Sequence, residues 1–333
     1  MKKTHFVSII IPTKNEEKVI AKCLTALQNL NTPTDDYEVI IADNSSLDRT
    51  VKIAEQFNVR IVNIDSQRTN VSGSRNIGAT HAKGDILAFV DADCVVSKDW
   101  LNNALVHFDH EDTCLAGYKY TIPENSSTVA RSWDYIFENR GVKEVVAWVP
   151  AGNMFISRKC FDSVGGFDDN LVTGEDVDLC SRLKQKGYQI LSDPNIQVTH
   201  LGTPQTYSGL FKKELWHGIG AVQTFINDLR KVRNLRAVMY AAFFSFGLTS
   251  ILFSLIISLV TKSIVAWITL IAFIMVLLII PLILAFKISN GQKRYKLLLG
   301  VWMVYLTYGV ARAICLFRFL SRTKQRTISF RLF

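Results

Sequence analysis

Two aspartates separated by one residue follow a short apolar run in the first half of the chain. The run, Ile86–Val90, ends at Asp91, and Asp93 comes after Ala92. Consecutive apolar residues bounded by polar ones predict a strand that is buried on both faces. Ligands bind at the carboxyl ends of strands in open α/β sheets, so both carboxylates would face a ligand. Two such acids favour a hard divalent cation shared with a diphosphate; a solvated Asp-x-Asp turn is the alternative.

A second group of carboxylates, Glu175, Asp176 and Asp178, stands at the predicted start of a helix. The helix dipole favours acids in the first turn, so capping alone would account for Glu175 and Asp178. Asp176 is a candidate general base, because the rim of a cleft is where a base accepts a proton from an incoming hydroxyl group. His200, at a predicted strand end, is either a metal ligand or a structural residue.

The elements that must position these groups follow a strand–helix alternation. Strands are predicted at Phe6–Ile11, Glu38–Ala42, Val59–Ile64, Ile86–Val90, Asn153–Ser157 and Ile196–Thr199. Helical periodicity between the first four indicates an α/β fold with a doubly wound, mostly parallel sheet. Polar residues follow successive strands, Thr13 to Glu16 after the first and Asp43 after the second, and together predict a nucleotide-sized cleft. The G-x-G-x-x-G fingerprint is absent after the first strand, which argues against NAD or FAD.

The charge of the chain is divided unevenly along its length. Residues 1–229 carry 23 Lys and Arg against all 29 Asp and Glu, a net charge of −6. Residues 230–333 carry the other 15 Lys and Arg and no acid, a net charge of +15. These basic residues flank apolar segments, a pattern typical of contact with the anionic lipids of a cytoplasmic leaflet. The sequence therefore predicts a membrane partner and no nucleic acid.

The six cysteines are scattered without Cys-x-x-Cys spacing, which argues against a disulfide framework and against a zinc site. The first residues, Met1 to His5, run directly into a strand and offer no apolar segment for a signal peptide. We therefore expect the soluble part to lie in the reducing cytoplasm.

Three apolar segments near the C-terminus predict membrane helices at 237–260, 264–286 and 297–317. The first two exceed 20 residues, enough to cross a hydrocarbon core of about 30 Å, and only Thr261-Lys262-Ser263 separates them. The third contains Arg312 and is either a spanning helix or an interfacial one. A spanning third helix would place the basic C-terminal tail outside, against the positive-inside rule, whereas an interfacial one would keep it as a lipid-binding strip. The predicted domains are thus 1–229 and 230–333, with the first domain cytoplasmic and the second crossing an inner or plasma membrane several times.

Taken in order, these motifs resemble those of family 2 glycosyltransferases with the GT-A fold, across roughly residues 6–230. The matching segments are Val7–Glu16, Asp43, Arg75–Gly78, Asp91–Asp93, Gly165–Phe167 and Gly174–Asp178. The resemblance implies a Rossmann-like GT-A domain and a nucleotide-sugar donor.

The resemblance also implies roles for individual residues. The residues that it assigns to the nucleotide sugar are Pro12, Thr13, Asn15, Glu16, Asp43, Arg75, Asp91, Ala92, Gly152 and Trp216. Asp93 and Asp91 would hold Mg or Mn, with His200 as a further candidate ligand. Asp176 would be the catalytic base, with Glu175 as the other catalytic candidate. A metal would stabilise the leaving diphosphate as a Lewis acid, and one base with one displacement implies inversion at the anomeric carbon.

One departure from the family pattern concerns processivity. The Q-x-x-R-W motif of processive polysaccharide synthases is missing, and Trp216 occurs instead in Lys212-Lys213-Glu214-Leu215-Trp216. The sequence therefore predicts a non-processive, inverting transferase with a lipid-linked or polysaccharide-precursor acceptor at the cytoplasmic membrane face. The alternatives are a polyprenyl-phosphate sugar synthase and a nucleotide-sugar-binding scaffold without catalysis.

Overall fold

The computed structural model describes residues 5–65, 69–109, 113–137, 144–227, 235–291 and 295–322. Contacts divide the chain into two units. The first comprises Met1–Asn125 and Glu138–Thr203, and the second comprises Ser126–Phe137 and Pro204–Phe333. The predicted boundary between residues 229 and 230 lies outside the described residues and stays a prediction.

The first unit is built on one mixed sheet and one small strand pair. Its strands are β1 Val7–Thr13, β2 Tyr37–Asp43, β3 Arg60–Asn63, β4 Ile86–Val90, β5 Cys94–Val96, β6 Thr113–Gly117, β7 Glu144–Val145, β8 Asn153–Ser157, β9 Gln189–Ser192 and β10 Val198–His200. Eight of them form a sheet in the order β3-β2-β1-β4-β8-β6-β9-β7, and β10 pairs with β5. The β3-β2-β1-β4 half is parallel, whereas β8 runs antiparallel to β4 and β6. The predicted doubly wound, mostly parallel sheet is confirmed.

The helices lie on both faces of the sheet in the first unit and, among the described residues, are the only regular elements of the second. They are α1 Ile20–Gln28, α2 Thr50–Ala54, α3 Val71–His81, α4 Trp100–Leu105, α5 Thr128–Phe137, α6 Arg158–Ser163, α7 Glu175–Gln185, α8 Tyr207–Asn227, α9 Leu235–Thr261, α10 Ile264–Gly291 and α11 Leu298–Arg322. Strands β1 and β4 are buried throughout, because helices cover both faces of a parallel sheet. One core cluster joins Leu24 of α1 to Trp100 of α4, and the other joins Phe161 of α6 to Leu179 of α7.

The strand ends that carry the predicted site meet at one edge of the sheet. Thr13, the last residue of β1, is in register with Asp43, the last residue of β2. Strand β4 lies on the other side of β1 and ends directly before Asp91. Helix α3 packs closely over β1, since Gly78 leaves room for the Ile10 side chain. The topology therefore gathers three polar strand ends, as the sequence predicted.

Three helices of the second unit are long and apolar enough to cross a membrane: Val238–Thr261, Ile264–Asn290 and Tyr295–Arg318. They match the segments predicted at 237–260, 264–286 and 297–317. The outward faces of α9 and α10 expose large apolar side chains over their length, from Met239 to Phe286. In α11, by contrast, no residue from 300 to 316 is exposed, because α11 contacts α5, α8, α9 and α10.

Arg312 of α11 is accommodated by an acid on α8. Its Nη2 donates to Glu214 Oε2 at 2.7 Å, and the two side chains are 11% and 1% exposed. The guanidinium also lies 4.8 Å from the centre of the Tyr308 ring. Nearby, Cys315 Sγ donates to the Leu215 carbonyl at 3.0 Å, and a side chain at Gly218 would overlap Cys315. The arginine that interrupts the apolar pattern is thus part of a tight contact between α8 and α11.

Candidate functional site

The loops that follow β1 and β2 are held together by Asp43. One carboxylate oxygen of Asp43 accepts from Thr13 Oγ1 at 2.9 Å and from Ser46 Oγ at 2.6 Å. The other accepts from the Ser46 backbone N–H at 2.9 Å. Pro12 lies within β1, directly before Thr13. This network fixes the first two strand ends relative to each other.

Asn15 and Glu16 are held against the loop after β2. Asn15 adopts a positive φ of 58°, and its backbone N–H donates to Ser46 Oγ at 2.9 Å. The Glu16 backbone N–H donates to Thr50 Oγ1 at 2.7 Å. A left-handed backbone is uncommon outside glycine, but asparagine tolerates it better than most residues, so the turn is compatible with this sequence.

A cavity of about 350 Å³ opens beside these loops. Its lining residues come from the ends of β2 and β3 and from α2; they are Asp43, Ser45, Ser46, Val51, Asn63, Ile64 and Asp65. The lining combines carboxylate and hydroxyl groups with aliphatic side chains, which suits a heterocycle that needs both hydrogen bonds and apolar contact.

Arg75 links two of the predicted carboxylates. Its Nη2 donates to Asp91 Oδ1 at 2.6 Å and its Nη1 to Glu175 Oε1 at 2.8 Å, while its own side chain is only 4% exposed. Burial opposes the charge of Arg75, but Asp91 and Glu175 outweigh it and raise the pKa of the guanidinium. The same guanidinium, acting against the burial of Asp91, holds the pKa of that carboxyl group below its usual range.

The residues around Arg75 explain how α3 positions its side chain. Asn70 caps α3 by accepting the Gly73 N–H at 2.9 Å, a preferred role for asparagine. Asn76 exchanges two hydrogen bonds with the backbone of Phe167, at 2.8 and 2.9 Å. The Phe167 ring in turn lies 5.5 Å from the Arg75 guanidinium. The Arg-Asn pair and the Gly-Gly-Phe turn of the sequence are therefore one structural feature.

Asp91 is enclosed by a tyrosine and a glycine in addition to Arg75. Tyr120 OH donates to Asp91 Oδ2 at 3.1 Å and accepts from the Gly152 N–H at 3.1 Å. A side chain at Gly152 would overlap both the Asp91 carboxylate and the Tyr120 hydroxyl. Burial and the charge of Asp91 raise the pKa of Tyr120, so the phenol stays protonated and remains a donor.

Asp93 lies beside His200, with His200 Nε2 3.4 Å from Asp93 Oδ2. The strand pairing causes this, because His200 of β10 is in register with Cys94 of β5. Gly202 follows, and a side chain there would overlap Asp93 Oδ2. Ala92, between the two aspartates, is buried. The aspartates are therefore held in different surroundings: Asp91 against Arg75 and Asp93 against His200.

The donor set around Asp93 fits a hard divalent cation. Ligand atoms of Asp91, Asp93 and Cys94 lie within 4.8 Å of one another, and carboxylates suit Mn²⁺ or Mg²⁺. Cys94 is the exception, since burial and the two aspartates raise the pKa of its thiol well above the ordinary value and a thiol is a poor ligand for such ions. Burial, Asp93 and Asp91 also raise the pKa of Glu16 to about 7, which shows that negative charge accumulates here.

Asp176, in the first turn of α7, is in a different electrostatic state from its neighbour Glu175. Its Oδ1 accepts the Val177 N–H at 2.7 Å, and burial together with the charge of Glu175 raises its pKa to about 7. Gly174 precedes it with a φ of 82°, a conformation that glycine adopts at little cost. A carboxyl group with a pKa near neutrality can accept and release a proton at physiological pH.

Known proteins are similar to this chain in sequence and in fold. The family described as Glycosyl transferase family 2 matches residues 8–165. Glycosyltransferase AglE of Haloferax volcanii is 31% identical over 242 residues, which cover 70% of this chain and 78% of that protein. The chain belongs to the family 2 glycosyltransferases.

A further relative is similar to this glycosyltransferase in sequence, and a solved structure is similar to it in fold. A beta-monoglucosyldiacylglycerol synthase of Nostoc is 31% identical over 192 residues, which cover 54% of this chain but only 41% of that longer protein. The structure of the mannosyltransferase PcManGT of Pyrobaculum calidifontis, solved with GDP-Man and Mn²⁺, has a similar fold, with a TM-score of 0.62 at 17% identity. The superposition covers 98% of this chain and 89% of the mannosyltransferase chain. The GT-A prediction for the glycosyltransferase is confirmed.

Most of the predicted site residues of the glycosyltransferase lie in the first unit at one edge of the sheet. Several of these residues contact one another directly: Thr13 contacts Asp43, Arg75 contacts Asp91 and Glu175, and Asp93 contacts His200. Asp91 and Gly152 are linked through the Tyr120 hydroxyl group. Trp216 lies in the second unit on α8, where its side chain is 48% exposed and packs edge-on against His217. Its predicted role with the nucleotide sugar stays a prediction.

Two residues of the site were missed by sequence reasoning. Tyr120 belongs to no motif, and nothing in its sequence surroundings indicates that it reaches Asp91. Gly202 follows two residues after the candidate ligand His200, and that spacing was an available signal for a close approach of the backbone to the Asp93 carboxylate. Both positions depend on strand pairings distant in sequence.

Asn153 has no predicted chemical role, but its hydrogen bonds connect the segments that carry the site residues. This fully buried residue accepts from Trp100 Nε1 at 2.8 Å and donates to the carbonyls of Tyr118 and Ile196 at 3.1 and 2.8 Å. Its three bonds tie β8, which begins directly after Gly152, to α4 and to the segments that lead to Tyr120 and His200.

Replacing Asn153 by alanine should therefore destabilise the glycosyltransferase. Each buried partner left without a hydrogen bond costs about 1–3 kcal/mol, so we expect a clear drop in the midpoint of thermal unfolding. Asn103→Ala is the matched control, because Asn103 makes a single, exposed bond to the Asn195 carbonyl and should change stability by less than about 0.5 kcal/mol. Equal midpoints for the two variants would show that the Asn153 network does not stabilise the fold.

Proposed function

We propose that this glycosyltransferase transfers one sugar per encounter from a nucleotide sugar to a lipid-linked or polysaccharide-precursor acceptor, with inversion, at the cytoplasmic face of the membrane. The observation that carries the proposal is the unequal state of the site's carboxylates. Arg75 forms ion pairs with Asp91 and Glu175, whereas burial and the charge of Glu175 raise the pKa of Asp176 to about 7. One acid can thus act as a base while the others bind.

The donor nucleotide is proposed to bind where β1 and β2 end. The heterocycle would occupy the cavity beside Asp43, with Pro12, Thr13, Asn15 and Glu16 along the neighbouring loop. Arg75 and Asp91, with Ala92 and Gly152 beside them, would hold the ribose and diphosphate. This assignment is supported by the order of the strands, since ligands of α/β sheets bind at the carboxyl ends of the strands near the point where strand order reverses.

A divalent cation is proposed to bind at Asp93, with His200 as the second protein ligand and Asp91 nearby. When bound, the ion would stabilise the negative charge that develops on the leaving diphosphate. Asp91 is the weaker ligand candidate, because Arg75 and Tyr120 already donate to both of its oxygens. We propose Mn²⁺ or Mg²⁺, since the oxygen donors are those that hard cations prefer.

Asp176 is proposed as the base that takes the proton from the acceptor hydroxyl group. Glu175 follows Gly174 directly but is bound to Arg75 at 2.8 Å, so its charge is already used to hold the guanidinium. We therefore assign Glu175 to positioning Arg75 rather than to proton transfer.

The acceptor class is proposed from two observations. The exposed apolar faces of α9 and α10 would keep the enzyme in a membrane, near acceptors that carry a lipid. The Nostoc relative is named for a glucosyldiacylglycerol product. A polyprenyl-phosphate acceptor belongs to the same chemical class and remains the second candidate.

The proposal is tested by adding UDP, GDP and dTDP in turn to the purified full chain, with and without MnCl₂, and measuring thermal unfolding. One nucleotide should raise the midpoint, and more strongly with Mn²⁺. The corresponding sugar nucleotides are then incubated with lipid extract, and the released nucleoside diphosphate is measured. Failure of all three nucleotides to bind would contradict the proposed donor.

Asp176→Asn should abolish transfer while leaving nucleotide affinity nearly unchanged. Loss of a general base costs on the order of 10²–10⁴ in rate. In the unaltered enzyme the base must be unprotonated, so kcat/KM should rise as pH increases through about 7, the pKa of Asp176, and should fall below it.

Asp178→Asn is the matched control for the base, since Asp178 lies on the same helix but bonds Arg182 Nε at 2.7 Å. It should retain most of the activity and the same pH profile. Turnover of Asp176→Asn near the normal rate would show that another residue is the base, with Glu175 as the first candidate.

Asp93→Ala should weaken nucleotide binding only when divalent metal is present. The physical reason is that the substitution removes a ligand carboxylate without touching the loops around Asp43. Titration calorimetry of the nucleotide with MnCl₂ and with EDTA measures the difference, and Cys94→Ala should behave as the unaltered protein because the Cys94 thiol is protonated. Equal loss of affinity in both buffers would show that Asp93 serves the fold instead.

We also propose that only the α9–α10 hairpin crosses the membrane. Residues 300–316 of α11 are buried or only partly exposed, and α8, which contacts α11 around Arg312, exposes Lys212. Residues 230–333 contain 15 basic residues. With two crossings, 14 of them lie on the cytoplasmic side and Lys262 lies on the opposite side, a distribution that the positive-inside rule favours. The predicted basic residues before α9 and in the tail lie largely outside the described residues.

Single cysteines probed with an impermeant thiol reagent on intact cells test this topology. Ser263→Cys, in the hairpin turn, should be labelled from outside, and Asn58→Cys, in the first unit, should not. Ser329→Cys in the tail should behave like Asn58→Cys. Labelling of Ser329→Cys from outside would establish a third crossing.

A further inference from the structure

Tyr120 connects the two acidic centres of the site. Its hydroxyl group donates to Asp91 Oδ2 at 3.1 Å, and its ring centre lies 4.7 Å from that of His200 at an angle of 44°. His200 Nε2 is in turn 3.4 Å from Asp93 Oδ2. One side chain therefore contacts both the carboxylate bound to Arg75 and the imidazole beside the other carboxylate.

The hydroxyl group fixes the orientation of the Asp91 carboxylate. Arg75 donates to Oδ1 at 2.6 Å and Tyr120 donates to Oδ2, so both oxygens have a defined donor. With Arg75 alone, the carboxylate could rotate about its pairing with the guanidinium. The Gly152 N–H donates to the same hydroxyl at 3.1 Å, which fixes the position of the phenol oxygen. A side chain at residue 152 would overlap that oxygen.

The backbone next to Tyr120 is hydrogen-bonded to β10, the strand that carries His200. The Thr121 N–H donates to the Val198 carbonyl at 2.8 Å, and the His200 N–H donates to the Thr121 carbonyl at 2.9 Å. Thr121 Oγ1 adds a third bond, to the Val198 carbonyl at 3.0 Å. Tyr120 and His200 are therefore carried on two chain segments that are bonded to each other next to the site.

We infer that Tyr120 is a positioning residue of the transfer reaction, which orients Asp91 through its hydroxyl group and His200 through its ring. The inference rests on the proposed function, since Asp91 is taken to contact the nucleotide and His200 the cation. It assigns two separable effects to one side chain: the hydroxyl group acts on nucleotide binding and the ring acts on metal binding.

Tyr120→Phe and Tyr120→Leu separate the two effects. Phenylalanine keeps the ring and removes the hydrogen bond, so the affinity for UDP or GDP, whichever stabilises the unaltered protein, should fall about tenfold, as expected for a lost bond to a charged group. Mn²⁺ affinity without nucleotide, measured from the free-ion electron paramagnetic resonance signal, should change less than about twofold. Leucine removes the ring as well, and Mn²⁺ affinity should then fall too.

Tyr37→Phe is the matched control. The Tyr37 hydroxyl group donates to the Leu27 carbonyl at 3.1 Å, and Tyr37 begins β2, at the end of the strand opposite Asp43. It loses one phenol hydrogen bond without touching the site, so nucleotide affinity should be unchanged while the unfolding midpoint shifts by a similar amount to that of Tyr120→Phe.

A double-mutant cycle with Asp91→Asn tests whether Tyr120 acts through Asp91. In the Asp91→Asn background, Tyr120→Phe should lower nucleotide affinity much less than in the unaltered protein. An undiminished effect there, or equal nucleotide affinities for Tyr120→Phe and Tyr37→Phe, would overturn the inference while leaving the proposed function intact. Absence of nucleotide binding by the unaltered protein would instead count against the proposed function itself, and the inference would fall with it.

Discussion

The buried guanidinium of Arg75, held between Asp91 and Glu175, is the interaction on which the rest of the site depends. Its side chain is 4% exposed and bonds both carboxylates at 2.8 Å or less. Removing one partner of a buried ion pair typically costs about 3–5 kcal/mol, because the remaining charge is left uncompensated. The pair also joins distant parts of the chain, since Arg75 lies on α3, Asp91 follows β4 and Glu175 begins α7.

This arrangement divides the acids of the glycosyltransferase into groups with different chemistry. Asp91 and Glu175 share the single positive charge of Arg75, and burial together with the charge of Glu175 raises the pKa of Asp176. Glu16 also has a raised pKa, because it is partly buried and because Asp93 and Asp91 add negative charge. Asp93 and Asp91 thus act on Glu16 as negative charges at this side of the site, where a bound cation would lower the electrostatic cost.

A comparable pairing occurs in the second unit. Arg312 interrupts the apolar pattern of α11, and by sequence it counted against a membrane helix. The structure supplies Glu214 from α8 and the Tyr308 ring, so a charge that would be costly in hydrocarbon is compensated within the protein. The apolar character of α11 has the same origin, because a helix covered on several sides by other helices must be apolar whether or not lipid surrounds it.

The sequence by itself determined the elements and their approximate order. Apolar runs closed by polar residues identified β1, β2 and β4, and the strand-end position of Asp43, Asp91 and Asp93 followed from the geometry of parallel sheets. Helix length and hydropathy identified α9 and α10. These features are local or periodic, so a single chain is enough to read them.

The tertiary structure alone decided which of these groups meet. Tyr120 reaches Asp91, and His200 reaches Asp93, only because β5 pairs with β10 and the segment after β6 bonds to β10. Glu175 and Asp176 are adjacent carboxylic acids in the sequence, yet Arg75 forms its ion pair with the first. Such differences arise from contacts between residues distant in sequence, 29 positions apart for Asp91 and Tyr120, 77 for Thr121 and Val198, and 100 for Arg75 and Glu175, which local propensity and periodicity do not encode.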